Sequence, residues 1–113
     1  MENCLFCKIM KGEIPSSKVY ENDYVYAFRD INPQAPVHVL VIPKKHVSSL
    51  NEVDHLDEKE IAECLRAVSL IASRENLADG YRVVSNCGPD ACQSVPHLHF
   101  HILGGSQMND RMA

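Results

Sequence analysis

The sequence has no excess of basic residues and no long apolar run. Its 11 lysines and arginines stand against 15 aspartates and glutamates, so the formal net charge is −4. A nucleic-acid-binding domain normally presents a basic surface, and this composition predicts none. No apolar segment approaches the roughly 18 residues that a membrane-spanning helix needs. We therefore expect neither nucleic acid nor a membrane as a partner, whereas a small anionic ligand would need only a few local donors.

A secretion signal, internal repeats and low-complexity segments are also missing from the sequence. The first ten residues (MENCLFCKIM) carry an early glutamate and lack a long apolar region. The five cysteines are an odd number and, without an export signal, favour a reducing compartment. With 113 residues, 45 % of them hydrophobic, the chain can bury a modest core. We expect a single domain over residues 1–113 in the cytoplasm.

The hydrophobic pattern predicts short strands around one long helix. Strands are expected over residues 19–21, 24–29, 38–42, 81–85 and 95–103, and the third should be buried on both faces. A short helix is expected over 4–11. Strands before and after a helix with short connections indicate an α+β domain around a mainly antiparallel sheet.

The long helix is expected over residues 57–76. Asp57 can cap it, with Glu60 three residues later, and Leu56 can pack against Ile61. The expected core-facing stripe has helical spacing and consists of Ile61, Cys64, Leu65, Val68, Ile71 and Ala72.

Three histidines alternate with apolar residues in the segment 96–105 (PHLHFHILGG). On a strand, His97, His99 and His101 would share one face, about 6.6–7 Å apart along it. The opposite, apolar face is expected to pack on the core. Closely spaced imidazoles can bind zinc, or one can act as a nucleophile beside a proton donor. Nearby donors in Gln93 and Ser94 favour the second chemistry, at an anionic centre such as a phosphate.

The pattern at residues 97–103 (HLHFHIL) resembles the signature of the histidine triad (HIT) family. The similarity extends to residues 28–36 (FRDINPQAP) and 38–46 (HVLVIPKKH). Residues 93–95 (QSV) and 103–105 (LGG), followed by Gln107 and Met108, resemble its nucleotide-binding Hint branch. Nearly the whole chain is covered, in order.

The resemblance implies an α+β fold with a five-stranded, mainly antiparallel sheet, one long helix and a short N-terminal helix, pairing into a homodimer. It implies hydrolysis of purine nucleoside 5′-phosphoramidates through a covalent nucleotidyl-histidine intermediate, with release of AMP or GMP. No cofactor is expected to be needed for this chemistry. By the same similarity His99 is the nucleophile, His101 stabilises the phosphate oxygens, His38 helps to orient His99, and Ser94 assists the leaving nitrogen.

The resemblance also implies a nucleotide-binding site. Asp30 would accept the ribose hydroxyls, and Asn86 and Gln93 would lie beside the phosphate. Cys92 stands where this branch normally has glycine, and the short C-terminal tail leaves the leaving-group preference open. The implied purine slot is apolar and consists of Leu5, Phe6, Ile9, Phe28 and Ile31.

The Cys4-Leu5-Phe6-Cys7 pair is weak evidence for zinc by itself, because a structural site needs four ligands. Similarity to bacterial relatives with this pair implies a structural zinc site of Cys4, Cys7, His46 and His97. Alternatively, the two cysteines are only small buried residues.

Three other functions stay open on the sequence. One is hydrolysis of dinucleoside polyphosphates, the second is a nucleotide-binding regulatory role with little catalysis, and the third is a catalytic three-histidine zinc site.

Overall fold

A computed structural model describes residues 3–113 of the chain. The strands are β1 (Lys18–Glu21), β2 (Val25–Arg29), β3 (Val37–Pro43), β4 (Tyr81–Val84) and β5 (Phe100–Gly104). The α-helices are α1 (Leu5–Met10) and α2 (Glu58–Arg74), and 3-10 helices span Leu50–His55 and Pro89–Ala91. Across this part of the chain, no helix combines the length and apolarity that crossing a bilayer requires.

The five strands form one sheet in the order β1-β2-β3-β5-β4, and every neighbouring pair is antiparallel. The expected α+β class with a five-stranded antiparallel sheet is therefore confirmed. The central strand β3 pairs on both sides, which explains its nearly continuous apolar sequence. Pro43, expected to follow this strand, is its last residue and pairs with Val25 of β2.

Each face of the sheet is covered by one α-helix. Alternate side chains of β2 and β3 point to opposite faces, so Val39 and Val41 face α2 whereas Leu40 and Ile42 face α1. The α2 side holds the larger apolar cluster. The α1 side holds a second cluster, whose buried members are Cys4, Phe6, Cys7, Ile9, Tyr26, Phe28, Leu40 and Ile42.

Helix α2 begins as expected. The Asp57 side chain accepts the Glu60 backbone N–H, and the Glu60 side chain accepts the Asp57 backbone N–H, both at 2.8 Å. Leu56 and Ile61 belong to one apolar cluster, in agreement with the expected packing. The expected stripe was wrong at Leu65, which is 55 % exposed, because Ala67 and not Leu65 completes the buried face.

The last strand is shorter than expected, because β5 begins at Phe100 and residues 95–99 lie outside the sheet. The β3–β5 register starts at Val41 opposite Phe100, and the β4–β5 register starts at Val84 opposite His101. Beyond these pairs the ladder has no partner, and Pro96 has no N–H to donate. This segment is held instead by a 2.8 Å hydrogen bond from the Leu98 N–H to the Val47 carbonyl.

Candidate active site and metal site

The three histidines keep their alternation although only His101 lies on a strand. Leu98 and Phe100 pack on the α2 side of the sheet, whereas the histidine rings turn towards α1. His97 is completely buried and His99 is 5 % exposed. His97 and His99 thus lie in a second interior covered by the first helix, whereas His101 is half-buried.

His38 and His101 form a direct pair across the two central strands. Leu40 lies opposite His101 and His38 lies opposite Leu103, so the two histidines are diagonal neighbours on one face. His38 Nε2 lies 2.8 Å from His101 Nδ1.

The hydrogen bonds around this pair define its tautomers. The backbone N–H of Gln34 donates to His38 Nδ1 at 3.0 Å, so that nitrogen carries no proton. His38 Nε2 then carries the proton and donates it to His101 Nδ1. As a consequence, the proton of neutral His101 is on Nε2, where it can be donated to a ligand. The tautomer of His101 is thus set, through His38, by the backbone N–H of Gln34, which lies 67 residues earlier in the chain.

His99 has the complementary tautomer. Its Nδ1 lies 2.6 Å from the carbonyl oxygen of His97, which can only accept, so Nδ1 carries the proton. Its Nε2 is therefore left with a free lone pair. The Ser85 hydroxyl donates to the His99 carbonyl at 2.8 Å and fixes the backbone at this position. The His99 and His101 ring centres are 5.1 Å apart, so an imidazole with an unprotonated Nε2 lies next to one with a donor N–H.

His38 and His101 are held in the neutral form. The pKa of His101 is lowered to about 4, mainly by burial and also by the neighbouring His99 and His38, against an opposing effect of Asp30. Burial also lowers the pKa of His38, which Asp30 partly offsets from 3.4 Å. His101 is therefore uncharged near neutral pH, with its Nε2–H available to donate.

The lowered pKa of His101 predicts acid destabilisation. An unfolded histidine binds its proton near pH 6.5, whereas folded His101, facing His99, His38 and Asp30, does so only near pH 4. The contribution of His101 to the free energy of unfolding is therefore lost as the pH falls from 6.5 to 4, and above that range it does not change with pH. After allowance for partial exposure, His101 should account for about 1–2 kcal/mol of this loss. Urea unfolding of wild type and His101→Gln across this range measures the difference, and parallel pH profiles would contradict the prediction.

Two thiols and two imidazoles come together at the start of α1, from Cys4, Cys7, His46 and His97. Each offers one ligand atom, and all four atoms lie within 4.8 Å of one another. His97 Nδ1 lies 3.3 Å from Cys4 Sγ, 3.6 Å from Cys7 Sγ and 3.0 Å from His46 Nδ1. Zinc–ligand bonds of about 2.0–2.3 Å in a tetrahedron imply ligand separations of roughly 3.3–3.8 Å. Both sulfur distances fall in this range and the two nitrogens are slightly closer, so the Cys₂His₂ cluster fits a structural zinc ion, in agreement with the expected cofactor.

The surroundings of the cluster support metal binding. His97 Nε2 donates to the Pro43 carbonyl at 2.9 Å, so its Nδ1 lone pair faces the other three donors. Burial lowers the pKa of His97 to about 4 and also lowers that of His46, which keeps both imidazoles ready to coordinate. Burial, reinforced by Cys4, raises the pKa of the Cys7 thiol to about 11. A bound Zn²⁺ would supply a positive charge that lowers the pKa of this thiol and favours the thiolate.

Asp30, His38 and His101 also offer donor atoms within 4.8 Å of one another. Here His38 and His101 already share a proton along their 2.8 Å hydrogen bond, so their facing nitrogens are not free to coordinate. The geometry therefore favours one metal site, away from His99 Nε2, over a catalytic three-histidine zinc centre.

The loop after β4 is braced by two side-chain amides. Gln93 donates to the carbonyls of Ser48 and Val95 and accepts the Gly88 N–H at 2.9 Å. Asn86 donates to the Ala91 carbonyl at 2.7 Å. Gln93 thus uses its amide within the protein, and the placement beside a phosphate that sequence suggested for both residues stays a prediction.

Ser94 and Cys92 are both exposed on this loop. Cys92 adopts a left-handed conformation with φ 59° and ψ 38°. This conformation explains why glycine would be the easier residue at that position. The role of Ser94 at the leaving group stays a prediction.

The apolar residues of the expected purine slot divide into two groups. Phe6 packs edge-on against Phe28 at 5.4 Å and against the His99 ring at 5.1 Å, and both phenylalanines are buried. Ile9 is buried in the same cluster. Leu5 and Ile31 are 43 % and 89 % exposed, which suits the rim of a slot and not its floor.

Several groups at the site were not foreseen from the sequence. They are the backbone N–H of Gln34, the carbonyls of Pro43 and His97, and the Ser85 hydroxyl. Three of them are main-chain atoms, which no side-chain motif reveals.

Residues 11–108 match the HIT domain family. The chain belongs to the HIT family. Among its HIT relatives, a 14 kDa zinc-binding protein of Zea mays is 50 % identical over 107 residues, which cover 93 % of this chain and 84 % of the maize protein. The purine nucleoside phosphoramidase of Escherichia coli strain K12 is 41 % identical over 113 residues, covering 99 % of this chain and 95 % of that protein.

A solved HIT structure agrees closely with this fold. The HIT family hydrolase from Clostridium thermocellum matches with a TM-score of 0.95 and 44 % identity, covering 100 % of this chain and 99 % of that one. The family resemblance inferred from the triad is therefore confirmed.

Proposed function

We propose that this HIT protein is a hydrolase that cleaves the P–N bond of purine nucleoside 5′-phosphoramidates. The observation that carries the proposal is the hydrogen-bond geometry around the two histidines, which assigns them opposite tautomers. His99 has a free Nε2 lone pair and adjacent His101 has its proton on Nε2. A nucleophile beside a hydrogen-bond donor is the arrangement that substitution at a phosphate requires.

In the first step His99 Nε2 attacks the α-phosphorus and forms a new P–N bond with its lone pair. The bond from phosphorus to the amine breaks, and the leaving nitrogen takes its electron pair and a proton that the Ser94 hydroxyl relays from solvent. In the second step water attacks the same phosphorus, the bond to His99 breaks, and the nucleoside monophosphate leaves. The proton lost by the water replaces the one that was given to the amine.

His101 donates its Nε2 proton to a phosphate oxygen throughout both steps. Because burial holds the pKa of His101 near 4, it stabilises the developing negative charge as a neutral group. His38 keeps this tautomer in place and, through His101, helps to orient the phosphate towards His99.

The nucleoside part would bind beside this row. The Asp30 carboxylate, 20 % exposed, can accept the ribose hydroxyls. Phe6 and Phe28 would contact the purine, with Leu5 and Ile31 at the rim.

The relatives support this assignment. The Escherichia coli protein named purine nucleoside phosphoramidase aligns over 99 % of the chain, and the Clostridium protein is described as a HIT family hydrolase. Hydrolysis of dinucleoside polyphosphates and a purely regulatory role are the competing functions. Zinc bound by Cys4, Cys7, His46 and His97 would attach α1 to the sheet, and none of the catalytic steps uses it.

We further propose that one domain spans residues 1–113 and pairs into a homodimer. The edge strand β4 has a partner on one side only, and its alternate residues Tyr81 and Val83 are 41 % and 42 % exposed. An exposed edge with apolar side chains is a template for pairing with a second copy. None of the five cysteines, all within the described residues, forms a disulfide bond, which suits the proposed cytoplasmic location.

The experiment that tests the function is rapid-quench mass spectrometry of the intact protein during turnover of adenosine 5′-phosphoramidate. We expect a transient mass increase of one adenylyl group, and peptide mapping should locate it on His99. AMP should then appear at the rate at which the adduct decays. AMP formation with an adduct on another residue would contradict the assignment of His99. Tight AMP binding without turnover would favour the regulatory role.

A further inference from the structure

His97 connects the metal site to the nucleophile. Its ring nitrogen Nδ1 lies among Cys4, Cys7 and His46, and its carbonyl oxygen accepts the His99 Nδ1 proton at 2.6 Å. One residue thus contributes a side-chain ligand to the cluster and the main-chain acceptor that sets the tautomer of His99.

The position of His97 depends on few contacts. It lies outside the β-ladder, so no strand pairing fixes its peptide groups. Its N–H bonds only to the nearby Val95 carbonyl, while the neighbouring Leu98 N–H donates to Val47, next to His46. Its ring donates to the Pro43 carbonyl at the end of β3 and is completely buried. Because the Leu98 N–H and the His97 carbonyl belong to one peptide group, this carbonyl is fixed through the His97 ring on one side and through Val47, next to the ligand His46, on the other.

We propose that His97 is a positioning residue, which transmits zinc binding to the reaction by fixing the carbonyl that orients His99. Zinc held by both His97 and His46 would fix the two contacts of this peptide, and the His99 Nδ1 proton would keep its acceptor. Without this anchor the carbonyl moves, and His99 populates the other tautomer, whose Nε2 is protonated and cannot attack. The inference rests on the proposed function, because it assigns a regulatory role to the metal cluster of that same site.

Two substitutions of His97 separate the metal contact from the residue's other roles. His97→Ala removes the ligand. His97→Cys supplies a thiolate of similar reach in place of Nδ1 but cannot make the bond to Pro43. We expect His97→Ala to lose zinc and to lower kcat by about 10–100-fold, the usual effect of removing a partner that orients a functional ligand. We expect His97→Cys to keep one zinc ion and a kcat within about threefold of wild type.

The decisive measurement is the tautomer of His99, read from the ¹⁵N and ¹H correlations of its ring. Wild type and His97→Cys should show protonated Nδ1, whereas His97→Ala should show a mixture of tautomers. Cys64→Ala is the matched control, because Cys64 is buried in the α2 cluster and should keep zinc, tautomer and kcat. If His97→Ala fails to fold, wild type is recorded before and after zinc is withdrawn with a chelator and after zinc is added back.

A zinc-free protein with the wild-type His99 tautomer and wild-type kcat would overturn the inference. A zinc-loaded His97→Cys protein that stays as slow as His97→Ala would overturn it as well. Absence of turnover in wild type would instead contradict the proposed function, and the spectra would still report whether zinc orients His99.

Discussion

The His99→Ala protein is expected to keep its fold and its zinc and to lose turnover of adenosine 5′-phosphoramidate by at least about 10⁴-fold. The effect is this large because both proposed steps form or break a bond to His99 Nε2, and no neighbouring group can replace it. His101 has its proton on Nε2, and its Nδ1 lone pair already accepts from His38. Steady-state kinetics with AMP detection measures the loss.

His55→Ala is the matched control for this substitution. His55 is exposed on the 3-10 helix Leu50–His55, outside the site, so kcat should not change. Thermal melting and zinc content of both variants show whether the fold is kept. Turnover in folded, zinc-loaded His99→Ala within tenfold of wild type would place the chemistry on another residue.

Loss of the zinc ligands is expected to produce the largest change in stability. The Cys7→Ala protein should bind no zinc, and its free energy of unfolding should fall by at least about 4 kcal/mol. Helix α1 has only six residues, too few to be stable alone, and Cys4 caps it with a side chain that belongs to the same cluster. Without metal, α1 and the apolar cluster beneath it lose their attachment to the sheet.

Metal analysis and urea unfolding with and without a chelator measure this effect. Cys92→Ala serves as the control, because Cys92 is exposed and its loss should leave zinc content and stability close to wild type. Equal stability of wild type and Cys7→Ala, with no zinc in either, would mean that Cys4 and Cys7 are only small buried residues.

Zinc removal under native conditions should leave 1–10 % of the wild-type kcat, matching the 10–100-fold loss of the positioning role. Complete loss would instead indicate catalytic zinc.

Several parts of the molecule follow from the sequence because they depend on local physical chemistry. The Asp57 and Glu60 capping box fixes the start of α2 through atoms three residues apart. The apolar run at residues 38–42 requires burial on both faces, and β3 is the central strand of the sheet. The alternation of histidine with apolar residues divides the segment between two interiors even where no strand forms.

Other features were decided only by contacts between distant segments. The sequence pattern placed all three histidines on one strand, but β5 begins at Phe100, because its neighbours offer no partner before that residue. Leu65 fitted the helical stripe but is exposed, because the breadth of the buried face depends on what packs against α2.

The proton positions at the site are the clearest example. They follow from hydrogen bonds to the Gln34 N–H and the His97 carbonyl, and from a contact between His38 and His101 across 63 residues. Main-chain donors and acceptors are the same in every sequence, and only the tertiary fold brings a particular one to a particular ring. The sequence thus determined which side chains can do the chemistry. The fold decided which nitrogen of each histidine carries the proton, because that depends on the neighbour it meets.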